Sequence, residues 1–232
     1  MFRRYLSILI AGTVISVANS LNISIDIGHT PKKSGCQSAR GVSEYTYNRK
    51  MALTLYYALK EAGIDAFFVN ADEKEISLSK RVEVAQEYGA THFISIHHDS
   101  AKEKFLSKWH YRGKTRRYGD DFSGFSLFVS KKNPFYEQSR RLATLTGEYL
   151  IQKGLHYTPH HGMDIKGERK ELLDARNGVY RYDNLVVLKR SKIPAMLIEC
   201  GVIINRDEEL MIDSEWYRKM VAQAIVRALI QD

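Results

Sequence analysis

The sequence predicts a single α/β domain, a mostly parallel, twisted six-stranded sheet with helices on both faces. Two observations carry that expectation. Short apolar runs rich in β-branched residues recur along the chain, as buried strands require. Longer helical patterns alternate with them, which is the order of a parallel sheet wound with crossover helices.

The expected strands are residues 23–27, 66–69, 93–96, 126–129, 185–188 and 195–198. The first helix, 43–62, opens on Ser43 as a cap and stops at Gly63. The second, 77–88, stops at Gly89. The third, 134–153, begins with Pro134, which a first helical turn tolerates, and stops at Gly154. A last helix spans 216–230. Two connections break the rhythm. Residues 102–124 mix Lys104, Lys108, Arg112, Lys114, Arg116 and Arg117 with Phe105, Trp109, Tyr111 and Tyr118. Residues 155–183 are polar and carry His156, His160, His161, Glu168, Glu171 and Asp174. Connections of this length are often binding loops or lids. The first is read as a polymer grip or a solvated loop, the second as a lid, an inhibitory element or a surface excursion. Metal ligation by His160 or His161 stays open.

Residues 1–20 read as a signal peptide. Arg3 and Arg4 precede an apolar run of about 13 residues, short of the roughly 20 a membrane span needs, and small residues follow at Ser16, Ala18 and Ser20. Residues 21–232 then form one exported domain with no membrane span left after cleavage. The formal charge of +8 suits nucleic acid, anionic lipid or an anionic wall polymer. Export makes nucleic acid the weakest of these, and none is expected as a partner. Cys36 and Cys200 stand at no motif spacing, so a bridge between them and two separate thiols both remain open.

Chemistry-bearing residues follow the strands. His29 comes after the first, His97 and His98 after the third, and Glu199 after the last, while Glu44 starts the first long helix. In a parallel sheet these positions share the carboxyl edge, where ligands bind. Singly each has a plain explanation: a loop histidine, or a glutamate favoured at a helix N-terminus. Together, two histidines and two glutamates make the ligand set of a catalytic zinc site with a carboxylate left for proton transfer.

These residues resemble the amidase-3 type of zinc-dependent N-acetylmuramoyl-L-alanine amidases. The family's Asp-Pro-Gly-His-Gly is matched by Asp26-Ile27-Gly28-His29-Thr30, and a glutamate follows about 15 residues later at Glu44. Ser95-Ile96-His97-His98-Asp99 stands where the family has Ser-Ile-His-Ala-Asn. Pro194-Ala195-Met196-Leu197-Ile198-Glu199-Cys200-Gly201 matches the last motif, with Asn205 near its end, and Arg81 matches an early helical arginine. Ile27 and Thr30 depart from the pattern without removing a ligand. The resemblance implies that His29, Glu44 and His97 bind Zn2+ and that Glu199 is catalytic. It implies hydrolysis of the amide between N-acetylmuramic acid and L-alanine in peptidoglycan, in the periplasm or at the cell wall, with a protein activator left open as a second partner. His98 is read either as a substrate contact or as a loop residue. Two other readings stand beside this one: a zinc carboxypeptidase or deacetylase of the wall, and a non-catalytic wall-binding protein.

Overall fold

The computed structural model describes residues 21–71, 75–166 and 168–232; the expected signal peptide lies outside them. In chain order β1 (Asn22–Ile27) leads to α1 (Glu44–Glu61), β2 (Asp65–Phe68), α2 (Leu78–Glu87) and β3 (His92–Asp99). A short 3-10 turn, η1 (Glu103–Phe105), precedes the hairpin of β4 (Ser107–Tyr111) and β5 (Lys114–Tyr118). Then come β6 (Ser126–Val129), α3 (Tyr136–Gln152), the 3-10 turn η2 (His160–Gly162), β7 (Leu172–Asp174) and β8 (Val179–Arg181). The chain closes with α4 (Val186–Arg190), β9 (Ala195–Val202), α5 (Arg206–Asp213) and α6 (Glu215–Gln231).

The central sheet has seven strands, ordered β2-β1-β3-β9-β6-β8-β7. The first four are mutually parallel; β6 runs antiparallel to β9, β8 parallel to β6, and β7 antiparallel to β8. Because β1, β3 and β9 are parallel neighbours, their carboxyl ends meet at one edge. Strand alternation divides their side chains between two cores. Ile23, Ile25, Ile94 and Ile96 face α1, α3 and α6, packing on Met51, Leu55, Leu142 and Ile225. Phe93 and Leu197 face the opposite side, against Val82 and Ala85 of α2 and Val187 and Leu188 of α4. Each such side chain fully buried is worth about 1.5–3 kcal/mol.

The six-strand expectation is corrected at two places. Residues 186–188 form the start of α4 rather than a strand, with Leu185 at its N-cap. Both sides of β9 are already taken by β3 and β6, so this apolar run lies over the sheet, with Lys189 and Arg190 at the helix end that favours cations. The connection 155–183, expected as a lid or excursion, supplies β7 and β8 and so builds one end of the sheet. The connection 102–124 folds into the β4–β5 hairpin, turning at Arg112 and Gly113, both with positive φ (49° and 72°), as a tight two-residue hairpin turn requires. Trp109, Tyr111 and Tyr118 are half-buried there; Trp109 Nε1 donates to Ala39 O at 2.9 Å, and the Arg206 guanidinium lies 3.8 Å from the Tyr118 ring centre. Lys108 and Arg117 are left on the exposed side.

Candidate metal centre

The loop after β1 is held from below. Arg81, on α2 and buried, donates to Asp26 Oδ1 and to Ile27 O at 2.7 Å each, and to His29 O at 2.9 Å. Ser95 Oγ completes Asp26 by donating to its Oδ2 at 2.7 Å. This clamp holds His29 in a left-handed conformation, φ 68°, which a non-glycine residue adopts only where its surroundings impose it. Arg81→Ala would strand a buried carboxylate and the His29 carbonyl. A loss of about 3–5 kcal/mol is expected, measured by urea unfolding; a loss within 0.5 kcal/mol, typical of an inert surface substitution, would show that the pair does not hold the loop.

Glu44, at the first position of α1, is buried and faces the same edge. Its Oε2 lies 3.0 Å from His29 Nε2 and its Oε1 3.1 Å from His97 Nδ1. The two imidazole rings meet edge to face with centres 5.1 Å apart. Four further donors hold the carboxylate: Cys36 N at 3.2 Å and Cys36 Sγ at 3.5 Å on Oε2, and Asn48 Nδ2 at 3.1 Å and His98 N at 3.4 Å on Oε1. Burial by itself would raise the Glu44 carboxyl, but the bonds to His29 and His97 outweigh it and hold it far below the usual carboxylate range. One donor atom from each of His29, Glu44 and His97 lies within 4.8 Å of the others, close enough to share one cation. Gly28 makes room for the cluster, since a Cβ there would sit 2.5 Å from His97 Nε2. Gly35, with φ 74°, is where a Cβ would collide with the Glu44 carboxylate.

Glu199 is register-paired with His97 on the parallel neighbour strand, so both point to the α2–α4 side. It stands outside the three-residue cluster, and its Oε2 is buried without a hydrogen-bond partner among the described residues. Burial, then the carboxylates of Asp99 and Glu44, push its carboxyl well above the usual range, with Lys170 opposing. A carboxyl in that environment is suited to exchange a proton. A cleft of about 630 Å³ opens over it, lined by His29, His97, Glu199, Arg81, His161 and Lys170 among others.

His98 points the other way, into the α1 core, and is not a substrate contact in this arrangement. Asn48 Nδ2 is spent on Gly28 O and Glu44, so its Oδ1 accepts from His98 Nδ1 at 2.8 Å. Burial pushes the His98 pKa down to about 3, leaving a neutral ring. The two cysteines are free: Cys36 beside Glu44, and Cys200 buried in the core. Sequence reasoning brought His29, Glu44, His97 and Glu199 to this edge, and the structure gathers all four. It missed Asn48 and the Asp26–Arg81 clamp as supports, and Glu168 and Lys170 as neighbours of the cleft. An asparagine one helical turn after Glu44 was the available signal for the first.

Fold and site together define an α/β domain carrying a two-histidine, one-carboxylate cluster at the sheet's carboxyl edge, with an unpaired glutamate beside it. Residues 23–231 match the family model Amidase_3, described as N-acetylmuramoyl-L-alanine amidase, and the chain belongs to that family. It is 27% identical over 229 residues to the N-acetylmuramoyl-L-alanine amidase AmiA of Escherichia coli, covering 90% of this chain and 74% of that protein. It is 26% identical over 227 residues to the probable amidase AmiB of Haemophilus influenzae, covering 92% of this chain. The alignment spans 52% of that relative, about half its length. Among solved structures, the CwlD amidase of Clostridioides difficile, in complex with the GerS lipoprotein, has the same fold, with a TM-score of 0.69 at 20% identity over 91% of this chain and 98% of that one.

Proposed function

We propose that the protein is a zinc-dependent amidase that cuts the bond between the lactyl group of N-acetylmuramic acid and the L-alanine of the peptidoglycan stem. The observation that carries this reading is the unpaired, half-buried Glu199 beside a closed cluster of His29, Glu44 and His97. Those three would hold Zn2+, and their donor set of two imidazoles and one carboxylate is the one catalytic zinc uses. When bound, zinc supplies Lewis acidity toward a carbonyl and a water. Glu199 Oε2 takes the proton from the attacking water as its oxygen joins the carbonyl carbon. The same carboxyl returns that proton to the leaving L-alanine nitrogen as the C–N bond breaks.

Family membership and the relatives named above support the substrate. The apolar opening residues support export to the periplasm or wall, and no helix among the described residues is long and apolar enough to cross a membrane. The lipoprotein bound to CwlD supports a protein partner in the role of an activator. Digestion of purified peptidoglycan followed by mass analysis tests the reading. Intact stem peptides with free L-alanine amino termini are expected, lost on chelation and restored by Zn2+. Shortened stems still attached to glycan would make it a carboxypeptidase, released acetate a deacetylase, and an unchanged polymer a wall-binding protein.

A further inference from the structure

Asp99 ends β3 two positions past His97, and its Oδ2 lies 2.7 Å from His161 Nε2 and 3.2 Å from His160 Nε2. These three residues each bring one donor atom within 4.8 Å of the others. Both histidines are buried, and the Asp99 carboxylate is nearly so. Close as they are, Asp99 Oδ2 and His161 Nε2 have no aligned hydrogen-bond partner among the described residues.

The far sides of both rings are already committed. His161 Nδ1 donates to Glu168 Oε2 at 3.2 Å, and His160 Nδ1 is 2.8 Å from Thr158 Oγ1. With its proton on Nδ1, neutral His161 turns an Nε2 lone pair toward an anionic oxygen at 2.7 Å, an arrangement that repels unless a cation lies between them. Protonating His161 alone would let Nε2 donate to Asp99 while Nδ1 donates to Glu168, so a proton or a metal ion can meet the need of this pair. A metal ion, unlike a proton shared by one pair, would also engage His160 Nε2, which converges on the same carboxylate oxygen at 3.2 Å. A histidine whose other nitrogen donates to a carboxylate is also the usual way a protein orients a metal-binding imidazole.

We propose that Asp99, His160 and His161 form a second metal site, separate from His29, Glu44 and His97, for a divalent transition-metal ion of the zinc class. Two imidazoles and a carboxylate are the donors such ions select, whereas calcium and magnesium prefer oxygen alone. The ion would pin η2, and with it the connection 155–183, to the end of β3. His161 also lines the cleft that contains Glu199, so the pin would fix one wall of that cleft.

The test is metal uptake. Metal-free protein is titrated with Zn2+ and with Co2+, and bound metal per chain is read by elemental analysis and by the Co2+ absorption bands. The full chain is expected to bind two ions, and the double variant His160→Ala/His161→Ala one. His29→Ala is expected to keep one ion, held by the histidine pair. Loss of one ion on removing the pair, with an ion kept in His29→Ala, supports the second site whatever becomes of the first. Equal uptake by the full chain and the double variant overturns it. Should the double variant fail to fold, Asp99→Asn keeps the volume and is read the same way. An ion absent from His29→Ala but present in the pair variants also overturns the second site, since only the first site then binds metal.

Discussion

Glu199→Gln is expected to lower turnover on peptidoglycan by about 10²- to 10⁴-fold, the range a positioned general base supplies, while leaving the metal content of the first site unchanged. The substitution keeps the side chain's shape and removes only its capacity to hold and return a proton. Glu199 is not one of the three groups whose donor atoms converge, which is why metal should stay. It is instead the carboxyl with a buried oxygen unsatisfied, pushed upward by burial and by the carboxylates of Asp99 and Glu44. An amide there would still fill the space beside His97 on the neighbouring strand. Stem-peptide release and zinc content, measured on one preparation, separate the outcomes. Wild-type turnover would remove Glu199 from the mechanism, and loss of zinc would make it a ligand instead.

The strand ends were legible because each coincides with a change from apolar to polar residues that a buried sheet enforces. Ile25-Asp26-Ile27-Gly28-His29 and Leu197-Ile198-Glu199 announce both the strand and the group it delivers. Glu44 was legible only from its spacing, since a glutamate opening a helix has an ordinary electrostatic reason to be there. Residues 185–188 misled because a short apolar run suits a buried strand and a short packed helix alike. What decided between them was occupancy of the sheet on both sides of β9, a long-range fact. The strands β7 and β8 were hidden for the opposite reason. They are three residues each, and β7 is half exposed, so Leu172–Asp174 carries no clear alternation. The cluster of Asp99 with His160 and His161 joins residues 61 and 62 positions apart, and no local spacing encodes such a meeting.

Glu44→Gln is expected to abolish zinc binding at the first site and, with it, measurable hydrolysis. Every polar neighbour of this carboxylate is a donor or a histidine nitrogen proposed to bind metal: His29, Cys36 N and Cys36 Sγ on Oε2, His97, Asn48 and His98 N on Oε1. A glutamine has one oxygen, so either amide orientation turns an NH2 group against a backbone N–H. Leaving that donor unsatisfied costs about 1–3 kcal/mol, and the buried negative charge that would balance a divalent cation is gone. Metal-free Glu44→Gln should therefore melt below metal-free wild type, and added Zn2+ should raise its melting temperature less than it raises that of wild type. Any residual rise is assigned to the site at Asp99, His160 and His161, and it should disappear when the histidine pair is also removed. If Glu44→Gln takes up zinc at the first site with wild-type affinity, the carboxylate is not a ligand. Its burial among His29, His97 and Asn48 would then be a matter of holding the loop after β1 and nothing more.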